Sequence, residues 1–164
     1  MKITTATADK MQGLLQKFFD ANAISDNIAY WFGFNYYNNI ESLYHAKWAH
    51  AFPGDAFADG LSTFMLKCDV RPVRRGLEGH TDGFTSLPEA FEANRAMIED
   101  LESAIRDLIE TAEFNEDAQV KLYGEELLLT IMNYVKQAKE WEHISKATSP
   151  YDMDLHFAQY THFI

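Results

Sequence analysis

Apolar side chains recur at intervals of three and four along most of this chain, most cleanly in its second half. From Leu87 the series runs Phe91, Met97, Ile98, Leu101, Ile105, Leu108 and Ala112, with Glu92, Arg95, Glu99, Glu102, Arg106 and Glu110 between them. That spacing gathers the apolar groups on one helical face, so the pattern predicts an amphipathic helix from Leu87 to about Glu113. Its start is signalled by Ser86-Leu87-Pro88-Glu89, a capping box with a proline tolerated in the first turn. A second series follows: Val120, Tyr123, Leu127, Ile131, Tyr134, Val135, Ala138 and Trp141. Phe114-Asn115-Glu116-Asp117 reads as a tight connection. Asn115 is expected to cap the following helix, with two acids in the first turn where the helix dipole favours them. A short link between two long helices makes them an antiparallel pair.

The first half is less regular. Thr7 to Phe32 carries Met11, Leu14, Leu15, Phe18, Phe19, Ile24, Ile28 and Trp31 near helical spacing, and Gly33-Phe34-Asn35 reads as a turn. Ile40, Leu43, Tyr44, Trp48 and Phe52 continue the helical pattern until Pro53-Gly54 interrupts it. It returns at Phe57, Leu61, Phe64, Met65 and Leu66 and stops before Pro72. The second bundle helix is therefore kinked at Pro53 or made of two pieces. One unbroken helix from Ile24 to Phe52 is the rival reading. Between the halves, Arg71 to Thr85 contains Gly76, Gly79 and Gly83 and has no periodicity. A helix of about 27 residues is roughly 40 Å long at 1.5 Å per residue. A linker of about 15 residues can span roughly 50 Å. It can travel the length of the bundle. The expected fold is all-α: two helices, a long crossover, two helices.

Length bears on this picture by fitting one domain, residues 1–164. A hydrophobic content of 47 % is enough for a packed core. The tail after Pro150 holds Tyr151, Leu155, Phe157, Tyr160, Phe163 and Ile164, so residues 146–164 are expected to dock on this bundle or a neighbour's. Leu127 to Met132 is apolar nearly all round a helix, more than one buried face needs, and points to a subunit contact and a homo-oligomer, with a loose surface patch as the plainer reading. The net charge of −11 disfavours nucleic acid and anionic membrane, and suits metal cations. Arg71, Arg74 and Arg75 read as a solvated loop. One cysteine, Cys68, leaves no intrachain disulfide. Met1 to Lys10 lacks a signal-peptide apolar run, and no segment approaches the roughly 18 apolar residues of a membrane helix. A cytoplasmic protein is expected.

Ala29-Tyr30-Trp31 resembles the Ala-His-Trp that closes the first helix of the Dps-type mini-ferritins. Gly33-Phe34-Asn35-Tyr36 resembles the Gly-Pro-Asn-Phe that follows it, and Met97 to Asp107, the Asn115 turn and the final long helix resemble that family's last two helices. The resemblance covers about Leu14 to His143. It implies a ferritin-like bundle, an oligomer and iron oxidation and storage under oxidative stress, with metal sites shared between subunits. Tyr30 stands where the family has an iron-binding histidine.

Iron favours carboxylate and imidazole ligands converging from facing helices. The densest supply is Glu41, His45, His50, Asp55 and Asp59. Glu41 and His45 share a helix face, and Asp55 and Asp59 repeat the spacing. These two pairs, Glu41 with His45 and Asp55 with Asp59, are the expected iron ligands. The plainer reading makes the first pair a surface contact and Asp55 a helix start. Glu140-Trp141-Glu142-His143 contains one Glu-x-x-His, where a di-iron site needs two, and reads as surface. His80, His156 and His162 are isolated in sequence. Two functions follow from different classes: an iron-binding ferritin-like oligomer with ferroxidase activity if its site is intact, or a metal-free ferritin-like structural or interaction protein.

Overall fold

A computed structural model describes residues 2–77 and 83–164. Its helices are α1 (Thr5–Phe34), α2 (Asn38–Lys47), α3 (Ala58–Lys67), α4 (Leu87–Phe114), α5 (Ala118–Ala147) and α6 (Pro150–Leu155), with 3-10 turns at Ala49–Ala51 and Phe157–Tyr160. His80 lies outside the described residues. Among those described, no helix is long and apolar enough to cross a membrane.

The second bundle helix is in two pieces, α2 and α3. Proline lacks an N–H and so cannot continue a helix's hydrogen-bond ladder. The chain therefore passes Pro53-Gly54 in successive turns, with Gly54 N–H donating to Ala51 O and Phe57 N–H to Gly54 O, both at 3.1 Å. Gly60 lets this bend close, since a Cβ there would lie 2.2 Å from the Asp55 carbonyl oxygen. The unbroken helix from Ile24 to Phe52 is excluded by the turn after α1, where Tyr36 takes φ of 67°. Asn35 closes α1 by donating its side-chain amide to Trp31 O at 2.9 Å.

The crossover runs back along α1. Val73 and Arg75 N–H groups donate to Gln12 and Gln16 at 2.9 and 3.0 Å, and the Arg74 guanidinium lies 4.6 Å from the Phe19 ring centroid. At the far end, Trp31 Nε1 donates to Phe84 O at 3.0 Å. Gln12 to Trp31 is about 28 Å of helix at 1.5 Å per residue. The link thus traverses most of the bundle, and α4 starts at the end where α1 finishes.

α4 opens on the Ser86 cap, with the reciprocal bond from Glu89 made one residue earlier, to Thr85. Ser86 Oγ accepts from Glu89 N–H at 3.3 Å, and Glu89 Oε2 reaches back to the Thr85 hydroxyl at 2.9 Å and to its N–H. Asn115 behaves differently from its expected role. It ends α4, donating to Thr111 O at 2.8 Å, and Glu116 then takes a left-handed φ of 59°. Asp117 gives α5 no side-chain cap. Its carboxylate instead accepts from the Thr4 hydroxyl at 2.7 Å, steadying the start of α1. The Asn115 signal was ambiguous because asparagine suits a helix end as well as a start.

The tail docks on its own bundle. Phe157 is buried and stacks on Trp141 with centroids 5.0 Å apart. Gln137 holds the last turn from both sides, donating to Tyr160 O at 2.8 Å and accepting from Phe163 N–H at 2.9 Å. Glu140 accepts from His162 Nδ1 at 2.7 Å, so this glutamate of the Glu-x-x-His segment serves as a tail anchor.

Glu142 is buried between α4 and α5 and pairs with Arg95, and Lys146 Nζ lies 3.1 Å from its Oε1. Burial raises the Glu142 carboxyl. Hydrogen bonds and positive charge from Arg95 and Lys146 outweigh it and hold the group below the ordinary glutamate value. A carboxyl depressed in the folded state contributes stability above its unfolded value, about 4.3, and loses it as pH falls through the folded value. Glu142→Gln is expected to lower stability at pH 7 by on the order of 1–2 kcal/mol and to flatten the decline below about pH 4. Urea denaturation across that pH range checks both.

Candidate metal centre

The turn at Asn35 to Tyr37 folds α2 back on α1. Residues equally far from that turn on either side then face each other, and Asp26 comes opposite His45. His45 Nε2 lies 3.5 Å from Asp26 Oδ1. Asn22, one turn before Asp26, donates to Ala49 O at 2.9 Å and ties the 3-10 turn to α1. That tie brings in His50, whose ring centroid is 4.5 Å from that of His45. Asp26, His45 and His50 each offer a ligand atom, and these atoms lie within 4.8 Å of one another. No other such group of three or more occurs among the described residues.

The electrostatics of this corner suit a cation. Asp26 Oδ1 is buried and accepts no hydrogen bond, which is costly for a carboxylate oxygen unless a charge or donor compensates. Glu41 Oε1 lies 3.2 Å from His45 Nδ1. A carboxylate at Nδ1 keeps the ring proton there and leaves Nε2 free to bind a metal, the usual outer support for a ligating histidine. The His45 and Asp26 side chains are 30 % and 26 % exposed and His50 is exposed, so a metal could reach the group from solvent. Tyr30 lies beside the group as a neighbour, edge-on to His45 at 6.1 Å between centroids.

Of the four residues expected as ligands, the fold brings together Glu41 and His45. Asp55 lies in the turns after Pro53 and Asp59 in the first turn of α3; both are exposed and outside the group. Asp26 was missed in the sequence because it sits alone between Ser25 and Asn27 in the α1 pattern. Its signal was positional: it is one turn before Tyr30, and a tight helical hairpin sets it across from His45.

The bundle interior is built differently. Tyr44 donates to Asn94 Oδ1 at 2.7 Å, and Ser25 Oγ lies 3.6 Å from Met97 Sδ. Burial pushes the Tyr44 phenol far above its ordinary value, so it stays a neutral donor. The buried acids among the described residues are Asp117 and Glu142, already engaged with Thr4 and Arg95. A dinuclear iron centre between four helices takes a glutamate from each of two and a Glu-x-x-His from each of the others. The interior residues described here do not fit one.

The chain matches Rhodobacter capsulatus bacterioferritin, solved with a metal-free dinuclear site and heme iron, with a TM-score of 0.81 and 15 % identity, covering 94 % of each chain. It matches an iron-soaked variant of the ferritin PmFTN with a TM-score of 0.85 and 12 % identity, covering 93 % of this chain and 99 % of that one. No protein-family model and no curated protein matches the sequence. These likenesses, at such low identity, concern the fold.

Proposed function

We propose, from the ferritin-like four-helix bundle with its long crossover between the second and third helices, that this chain binds iron(II) as cargo at a single-metal site formed by Asp26, His45 and His50. The observation that carries the reading is the convergence of two imidazoles on a buried Asp26 oxygen that has no other partner. Two histidines and one carboxylate, with open positions, are a donor set suited to iron(II). Glu41 orients His45. In a Dps-like assembly the site is shared between subunits, and the exposed Asp55 and Asp59 of a second copy are carboxylates available to complete it. Oxidation and storage under oxidative stress extend this reading. The proposed setting is the cytoplasm, in keeping with a lone free Cys68.

The second reading is a metal-free ferritin-like structural or interaction protein. The engagement of both buried acids among the described residues, Asp117 with Thr4 and Glu142 with Arg95, favours it, because neither is left to hold a metal. Anaerobic iron(II) titration separates the two. Wild type is expected to bind about one iron per chain, and His45→Ala to bind at least about tenfold more weakly. Exposure to air then shows whether a ferric product forms. Failure of the wild type to take up iron overturns the iron reading.

We also propose a homo-oligomer assembled partly through α5. Its outer face exposes Leu129 and Met132 at 69 % and 50 %, beside half-buried Leu128. Light scattering is expected to show an assembly, and Met132→Glu to shift it toward smaller species. A wild-type monomer would contradict the assembly and favour the interaction module.

A further inference from the structure

α2 is only 10 residues long, and its N-cap residue, Tyr37, provides no side-chain bond to the first turn. The first N–H groups of a helix have no partner within it, and a helix this short is marginal without tertiary support. The missing cap comes from the far end of the chain. Asp154, in α6, accepts from the Asn39 N–H at 3.1 Å and the Ile40 N–H at 3.0 Å through Oδ1. Its Oδ2 accepts from the Asn39 side-chain amide at 3.3 Å. The carboxylate also lies at the positive end of the α2 dipole.

Glu41 directly follows Ile40, and His45 is one turn beyond Glu41. The opposite end of this segment is tied to α1 by the Asn22–Ala49 bond. The segment carrying His45 and His50 is thus held at two ends, by Asn22 beside the site and by Asp154 away from it. The donors stay together only if α2 keeps its register on α1, because Asp26 belongs to α1 and the histidines do not.

We propose that Asp154 is a positioning residue for the metal centre, through which the docked tail sets the register of α2 against Asp26. This rests on the metal reading above. Asp154 touches none of the three donors, so its effect passes through the first turn of α2 and the Glu41–His45 pair. Undocking the tail would then loosen metal binding without altering any ligand, which couples the state of the C-terminal segment to cation affinity.

Cobalt(II), with its visible spectrum, is the probe, titrated into the full chain. Asp154→Ala is expected to weaken binding about tenfold and to change the bound-cobalt spectrum, in line with losses at supporting residues. Asp154→Asn keeps an oxygen acceptor and is expected to stay within about threefold of wild type. Ser86→Ala removes the cap of α4, away from the donors, and serves as the stability control. It should lower the melting temperature and leave cobalt affinity unchanged. If Asp154→Ala does not fold, Asp154→Ser, too short to reach both N–H groups, replaces it with the same expectation. Cobalt affinity and spectrum like wild type in Asp154→Ala, or in Asp154→Ser where it replaces it, overturn the positioning role whatever the melting temperature. No cobalt binding by the wild type removes the metal centre itself and this proposal with it.

Discussion

Trp48 and Trp141 meet with ring centroids 5.1 Å apart, where α2 gives way to a 3-10 turn. Both are fully buried. Tyr44 stacks on Trp48 at 6.1 Å and lies 5.9 Å from Trp141; Phe91 and Phe157 complete the contact from α4 and the tail. Aromatic pairs of this kind contribute about 0.5–1.5 kcal/mol each beyond the surface they bury. The broken second helix depends on them. A continuous helix would fix its position by length, but α2 and α3 are short pieces. Trp48 and Tyr44 are the wedges that hold α2 against α5. Since α2 carries Glu41 and His45, the candidate centre inherits its geometry from this aromatic layer.

The same layer explains where the charged groups lie. Rings and a neutral Tyr44–Asn94 pair occupy the space between the helices, and the two buried acids among the described residues, Asp117 and Glu142, are taken up by Thr4 and Arg95. An unpaired carboxylate there would be costly. The acids that could serve a cation lie toward the surface, and Asp26 is the one that faces two imidazoles. A ferritin-like architecture is compatible with this arrangement because the fold fixes helix directions and leaves the site to individual side chains.

Much of the fold was legible in the chain. Ser86 with Glu89 announced α4, and the Phe91 to Ala112 series set its buried face. The featureless stretch from Arg71 was long enough to require a crossover. Pro53 marked the break in the second helix, though periodicity could not tell a kink from a split. The candidate site was half legible. Glu41 and His45 share a helix face, so spacing found them. Asp26 joins them only across the hairpin, and Asp154 reaches α2 from more than a hundred residues away. Neither contact is periodic, so a pattern along the chain cannot show it. Asp55 and Asp59 matched each other in spacing, but the turns after Pro53 carry them outside the histidine group.

The central claim is that a metal belongs on the face between α1 and α2 and not inside the bundle. Anomalous diffraction from crystals soaked anaerobically in iron(II), collected on both sides of the iron absorption edge, tests this most directly. The account predicts one anomalous peak per chain within bonding distance of Asp26, His45 and His50. A pair of peaks between Tyr44 and Asn94, or no peak at the histidines, would contradict it.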